Sequence, residues 1–166
     1  MGVTIFCLAF SNYFCNKLRK KTAYLEINAS NVVDSLSNTY GISCYATVTL
    51  RKLPMILQED YSIFILDFGV FNPNTYAEFC RCDLQILIGS VRPWKMKPYC
   101  MLLEKIIKEK NTHRKLLCFA SLGMKTETIL IPKCEKVCVH PFPFLTNPFQ
   151  LNSSEWIFFE RILKGI

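Results

Sequence analysis

The sequence contains only two histidines, and neither stands in a spacing typical of a zinc site or a catalytic triad. Structural zinc takes four ligands at recognisable spacings. His113 and His140 do not complete such a set with the close pairs Cys80 with Cys82 and Cys134 with Cys138. The spacing suggests no Ser-His-Asp or Cys-His arrangement either. The sequence therefore predicts neither a zinc site nor a nucleophilic active site.

Long apolar runs are also absent. No stretch of about 18 apolar residues occurs, so no membrane-spanning helix is expected. Residues 2–10 are apolar, but the basic residues follow this run instead of preceding it, and no small-residue cleavage site comes after it. Phe6 stands where a myristoylation signal has Ser or Thr. We therefore expect no targeting segment.

The chain contains enough hydrophobic residues to form a buried core. Its 166 residues are 51% hydrophobic and 13% aromatic, which indicates one folded domain and excludes a disordered chain. Nine cysteines are spread along it, several inside apolar runs, where reduced cysteine behaves as a small hydrophobe. Reduced thiols are typical of the cytosol, so a cytoplasmic protein is expected.

The net charge of +7 comes from several separate lysine and arginine clusters. Such dispersed clusters are typical of solvated faces and helix ends. Nothing concentrates them on one predicted face. Nucleic acid and membrane therefore rank last among the expected partners, although both remain open.

Apolar strand-like runs alternate with helical patterns along the chain. Strands are predicted at residues 22–28, 61–69, 83–89, 115–121, 128–131 and 136–139, with an irregular strand or hairpin at 41–50. Helices are predicted at residues 4–18, 32–36, 54–59, 75–82, 95–109 and from the cap Ser153-Ser154 to 164. This alternation is typical of an α/β fold, a mostly parallel sheet sandwiched by helices. With no repeat and no linker, residues 1–166 are predicted to form a single domain.

Residues 61–69 read Tyr-Ser-Ile-Phe-Ile-Leu-Asp-Phe-Gly and predict a strand buried on both faces. Asp67 closes this strand. In open α/β sheets, ligands bind at the carboxyl ends of the strands, so Asp67 is a candidate site residue. Taken by itself, the stretch is more typical of a core strand followed by a turn.

The first predicted helix has no strand before it. An α/β domain normally opens with a strand that leads into its first helix, and its loss would leave backbone polar groups of the sheet without partners. Two explanations are open. Met1 is an internal methionine of a longer chain, within a G-M-G-V-T loop, or the chain is a truncated or decayed paralogue. A stop codon immediately before Met1 would exclude the first.

Gly2-Val3-Thr4 precedes that helix, residues 20–26 read Lys-Lys-Thr-Ala-Tyr-Leu-Glu, and residues 61–69 end in an acidic motif. This order resembles the MinD/ParA-type P-loop ATPases. Their deviant Walker A loop, K-G-G-x-G-K-[ST], is followed by a helix, a G-K-K-V-x-L strand and a Walker B strand. Gly2-Val3-Thr4 falls where the final Gly-Lys-Thr of that loop would fall. The resemblance covers most of the chain in element order and implies a P-loop NTPase-like fold.

The resemblance also implies a nucleotide site with ATP and Mg²⁺ as ligands. Its candidate residues are Gly2, Val3, Thr4, Asn28 and Asp67, of which Thr4 and Asp67 would face the metal. Val3 replaces the Walker A lysine and cannot donate to a phosphate, and Asn28 replaces the aspartate that positions attacking water. Both changes weaken phosphoryl transfer, so no residue is assigned a catalytic role.

Two functions follow. The first is a degenerate MinD/ParA-like nucleotide-binding protein with weak or absent ATP hydrolysis and a regulatory role. The alternative is a non-catalytic protein-interaction module on the same α/β fold, with Trp94 and the proline-rich residues 141–148 as candidate contacts. Because members of the family often form ATP-sandwiched dimers, the resemblance implies a homodimer or another protein partner. Without the resemblance, Gly2 and Thr4 would be a plain helix start, and Asn28 a turn residue.

Overall fold

The structure is a computed structural model, and it describes residues 2–27, 39–90, 92–109, 115–120, 127–130 and 136–164. The chain divides into two compact units. Unit 1 comprises Met1–Tyr76 and Leu145–Ile166, and unit 2 comprises Ala77–Phe144. Both contain helices and a small, largely parallel sheet, which confirms the α/β class. The single domain over residues 1–166 stays a prediction.

Unit 1 is built around a three-stranded parallel sheet in the order β2-β1-β3. The strands are β1 (Thr22–Glu26), β2 (Ser43–Tyr45) and β3 (Ile63–Asp67). The central strand β1 is completely buried. Its register with β3 sets Glu26 directly beside Asp67, so both strands end in a carboxylate at the same edge.

Helix α1 (Val3–Asn12) continues into a π-helical turn, Tyr13–Lys17. Residues 6–14 are buried, as the all-round apolar pattern predicts. Helix α5 (Ser153–Lys164) packs on α1 through Phe159, whose ring lies 5.3 Å from that of Phe10. The predicted cap of α5 is wrong. Asn152 Oδ1 accepts the Ser154 and Glu155 N–H groups, while Glu155 accepts the Asn152 N–H in return.

The two faces of β1 meet different partners because successive side chains of a strand point to opposite sides. Ala23 and Leu25 pack with Val48 and with Leu53 of the short helix α2 (Leu53–Ile56). The face that carries Tyr24 and Glu26 is therefore the one turned toward α1, which contacts both β1 and β3.

Unit 2 has a four-stranded sheet in the order β4-β5-β7-β6. The pairs β4–β5 and β5–β7 are parallel, and β6–β7 is antiparallel. Its elements are β4 (Leu84–Gly89), α4 (Pro93–Lys108), β5 (Lys115–Ala120), β6 (Glu127–Leu130) and β7 (Lys136–Pro141). The short helix α3 (Tyr76–Phe79) includes the point in the sequence at which the two units divide. Tyr99 and Leu103 of α4 pack on Cys118, Ala120 and Val139 of the sheet.

Three predictions about these elements have different outcomes. Of the strand or hairpin predicted at residues 41–50, the strand is confirmed, because Ser43–Tyr45 form β2 and pair in parallel with β1. Strand β3 is half-buried except at Asp67, because among the described residues it pairs on one side only. The helix predicted at residues 32–36 lies outside the described residues. Across the described ranges, no helix is both long and apolar enough to cross a bilayer.

Candidate functional site at the ends of strands β1 and β3

Asp67 ends β3 with no exposed surface. Its Oδ2 accepts a 2.8 Å hydrogen bond from the Tyr24 hydroxyl, and its Oδ1 accepts one of 2.8 Å from the Gly69 N–H. Gly69 has a φ of +60°, a left-handed conformation that glycine adopts without strain. The Asp-Phe-Gly turn therefore orients the carboxylate that the sequence singled out.

Glu26 is a second fully buried carboxylate at this edge, and the sequence analysis did not select it. It lies in register with Asp67, and the backbone ladder continues past both residues, since Ile27 N–H donates to Asp67 C=O at 2.9 Å. The available signal was the one that identified Asp67, an acidic residue that closes an apolar strand.

The start of α1 is open and lacks a side-chain cap. Gly2 is the N-cap in an extended conformation, and a methyl group added there would meet no atom within 4 Å. Val3 and Thr4 follow in the first turn, both half-buried. The first N–H groups of a helix have no intrahelical acceptor, and the helix dipole places partial positive charge there. This end of α1 suits an anion.

Electrostatic effects connect α1 with the strand ends. Burial raises the pKa of the Cys7 thiol well above its usual value, and the negative charge of Asp67 raises it further. Burial followed by the charge of Asp67 also raises the pKa of Tyr24, to which Cys7 and Glu26 contribute smaller effects. Cys7 is one turn after Val3 on α1, so the Asp67 carboxylate acts on the N-terminal half of this helix.

Gly2, Val3 and Thr4 form the start of α1. Asp67 ends β3, a strand that α1 contacts, and its charge acts on Cys7, one turn further along the helix. Asn28 lies outside the described residues.

The carboxylates of Asp67 and Glu26 would suit Mg²⁺ only if a bound phosphate supplied further ligands. In the part of the chain that the structure describes, no group of three or more His, Cys, Asp and Glu side chains could hold a metal ion. Mg²⁺ usually binds one or two carboxylates plus substrate phosphates and water, not a complete protein cage. Asp67, Glu26 and Thr4 have oxygen donors of the type that Mg²⁺ binds in this way, whereas Val3 supplies no charge for the phosphate.

Pro148, the last residue of the proline-rich stretch, and its neighbour Phe149 do not lie at this start of α1. The Asn12 side chain donates to Pro148 C=O at 2.9 Å, and the Phe149 ring stacks on Tyr40 at 4.5 Å. Asn12 is the last residue of α1. A ten-residue helix is about 15 Å long, so Pro148 lies near the end opposite Gly2.

No family model, curated protein or solved structure matches the chain.

Proposed function

We propose that this chain is a degenerate P-loop-type nucleotide-binding protein, similar to the MinD/ParA ATPases, that binds ATP with Mg²⁺ weakly and hydrolyses it poorly or not at all. One observation carries the proposal. The buried carboxylates of Glu26 and Asp67 end neighbouring strands at the same edge, and α1, whose start lacks a side-chain cap, contacts both strands. In this proposal the carboxylates bind the cation and the start of the helix binds the anion.

Each group has a distinct role in this proposal. The backbone N–H groups at the start of α1 would receive phosphate oxygens. The Thr4 hydroxyl and the carboxylates of Asp67 and Glu26 would hold Mg²⁺ and its waters. The metal supplies the positive charge that a phosphate needs, and the protein residues orient it.

The same residues explain weak binding and a regulatory role instead of catalysis. Val3 gives the phosphate no cation, and an amide at Asn28 cannot accept a proton from water. Tyr24 and Gly69 already donate to Asp67, which lowers its availability as a metal ligand. Cytoplasmic location and a homodimer or other protein partner belong to this proposal.

The alternative is a non-catalytic interaction module on the same α/β fold. The internal hydrogen bonds of Asp67 favour it, because they are also what a purely structural carboxylate would make. In that case α1 and the strand ends form a core, and the surface carries the function.

The melting temperature, measured with and without Mg²⁺ and ATP, distinguishes the nucleotide-binding protein from the interaction module. We expect a Mg²⁺-dependent rise in the melting temperature that Thr4→Ala and Asp67→Asn abolish. Thr49→Ala, on an exposed threonine, is the matched control and should keep the shift. Val3→Lys should tighten binding by at least about tenfold, since a hydrogen bond to a charged group contributes about 1.5–3 kcal/mol. Ile157→Lys adds the same charge on the exposed side of α5 and should not tighten binding.

If neither the native chain nor Val3→Lys shows a nucleotide-dependent shift, the nucleotide proposal is wrong and the interaction module stands. If a shift occurs without Mg²⁺ and survives Asp67→Asn, the carboxylate has no part in binding.

A further inference from the structure

Helix α4 in unit 2 has an outer face that combines large apolar side chains with lysines. Tyr99, Leu103 and Ile106 are almost completely buried and fix the inner face of the helix. On the other side, Trp94 is 70% exposed and Met101 is 62% exposed. We define the outer face of α4 by six exposed residues: Trp94, Lys97, Pro98, Met101, Lys105 and Lys108.

These residues form one continuous stripe. Positions 94, 98, 101, 105 and 108 follow one another at steps of four and three, which places them along one side of a helix. Lys97 lies three residues after Trp94 and four before Met101, so it flanks the apolar half. The stripe is apolar toward the start of α4 and basic toward its end.

The charge of α4 is strongly unbalanced. The helix contains four lysines and a single acidic residue, Glu104, which pairs with Lys108 at 2.6 Å. Arg92, the N-cap, lies over the Trp94 ring at 5.7 Å and adds another cation. The basic clusters are dispersed along the sequence and indicate no basic face, but the orientation of α4 places three of its lysines on one exposed side.

We propose that the outer face of α4 is a peripheral docking surface for an anionic lipid membrane. Lysines near a membrane surface are attracted to anionic headgroups, while Trp and other apolar side chains insert at the headgroup boundary. Trp94 is suited to this boundary because its ring is apolar and its indole N–H is polar. The exposed Met101 favours a lipid over a nucleic acid, since a thioether neither stacks on bases nor pairs with phosphates.

Vesicle flotation with the full chain tests this inference. We expect binding to vesicles of phosphatidylcholine mixed with phosphatidylserine, weakened by salt, and no binding to pure phosphatidylcholine. Removing one lysine from such a surface costs about fivefold in partitioning, so Lys97→Glu with Lys105→Glu should lower it more than about twentyfold. Lys20→Glu with Lys52→Glu changes the charge equally at exposed positions of unit 1 and should lower it less than about threefold.

Two further variants test the apolar contribution. Met101→Ser should weaken vesicle binding, and Met55→Ser, on a methionine that is 72% exposed in α2, should not. In a Trp156→Phe background Trp94 is the only indole, and its emission should shift to shorter wavelength when anionic vesicles are added. Melting curves of all variants verify that they are folded.

The inference is overturned if anionic and neutral vesicles bind equally or not at all, or if the Lys97 and Lys105 reversals bind as the native chain does. Retention on single-stranded DNA without retention on vesicles would assign the face to nucleic acid instead.

Discussion

The Tyr24 hydroxyl donates a 2.8 Å hydrogen bond to Oδ2 of Asp67, and neither residue has exposed surface. This bond joins the middle strand of the unit 1 sheet to the end of its neighbour, across 43 positions of sequence. A buried carboxylate costs several kcal/mol unless hydrogen bonds compensate its lost hydration. The Tyr24 hydroxyl and the Gly69 N–H are therefore donors that compensate the burial of Asp67.

Tyr24→Phe removes this donor and keeps the ring. We expect a loss of about 1.5–3 kcal/mol in the free energy of unfolding, because the bond is made to a charged group. Urea denaturation measures the loss. Tyr45→Phe is the matched control. Its hydroxyl also donates to a carboxylate, that of Glu59, and lies 3.1 Å from the Tyr61 hydroxyl, but the Glu59 bond is exposed to water, so the loss should be about 1 kcal/mol or less. Equal losses in the two variants would contradict the special role of Tyr24.

The same bond shows what the sequence could and could not predict. The apolar run that ends at Asp67 identified the strand and the residue, because strand patterning is local. The partner Tyr24 and the neighbour Glu26 depend on the register between β1 and β3, which only the folded sheet determines. Local residue types predicted the elements, and pairing between distant strands assembled the site.

The sequence also did not predict which side of helix α4 faces the sheet and which side faces solvent. The lysines of α4 were visible, but they looked dispersed until the burial of Tyr99 and Leu103 fixed which side faces the sheet.

The cap of α5 was misplaced by one residue for a local reason. Asn152 and the serines after it are all good caps, and the reciprocal bond from Glu155 selects the asparagine.

The close approach of Tyr99 to Gly89 gives a second prediction. A methyl group on Gly89 would overlap the Tyr99 ring, which is held in place because its hydroxyl donates to Phe119 C=O at 3.2 Å. Gly89→Ala should therefore lower the free energy of unfolding by about 1–3 kcal/mol.

A double-mutant cycle isolates that cause. In a Tyr99→Leu background the ring is gone, so Gly89→Ala should cost much less than in the native chain. Additive losses in urea denaturation would show that the cost comes from the backbone of β4 and not from the ring.

Alkaline pH should destabilise the fold. Burial raises the pKa of the Cys44 thiol from 9.0 to about 11, and burial also raises the pKa values of Cys7 and Tyr24. A group whose pKa is higher in the folded state keeps its proton there, so its stabilising effect is complete below the unfolded pKa. That effect is lost as the pH rises through the folded pKa, between pH 9.0 and about 11 for Cys44.

Cys44→Ala tests this contribution. In urea denaturation at a series of pH values, the variant should lose stability less steeply than the native chain above pH 9.0. A slope should remain, because Cys7 and Tyr24 still titrate on unfolding. Near neutral pH the two profiles should run parallel, which serves as the internal control. Parallel profiles throughout the alkaline range would contradict the assignment to Cys44.

Phe159 should be the side chain through which α5 stabilises α1. Its ring has no exposed surface and lies 5.7 Å from Phe6, 5.3 Å from Phe10 and 5.6 Å from Tyr13. Phe159→Ala should cost about 3–5 kcal/mol, because a large aromatic side chain leaves a cavity that the surrounding rings fill only in part. Ile157→Ala, on a side chain that is 48% exposed in the same helix, should cost about 0.5 kcal/mol or less.

The stacked pair of Phe159 and Phe10 permits a sharper measurement. The rings are inclined by 19°, and such aromatic pairs contribute about 0.5–1.5 kcal/mol beyond the area they bury. A cycle of Phe159→Leu, Phe10→Leu and the double variant should give a coupling energy in that range. A coupling near zero would mean that α5 is held on α1 by buried area alone, and that the stacking geometry adds nothing.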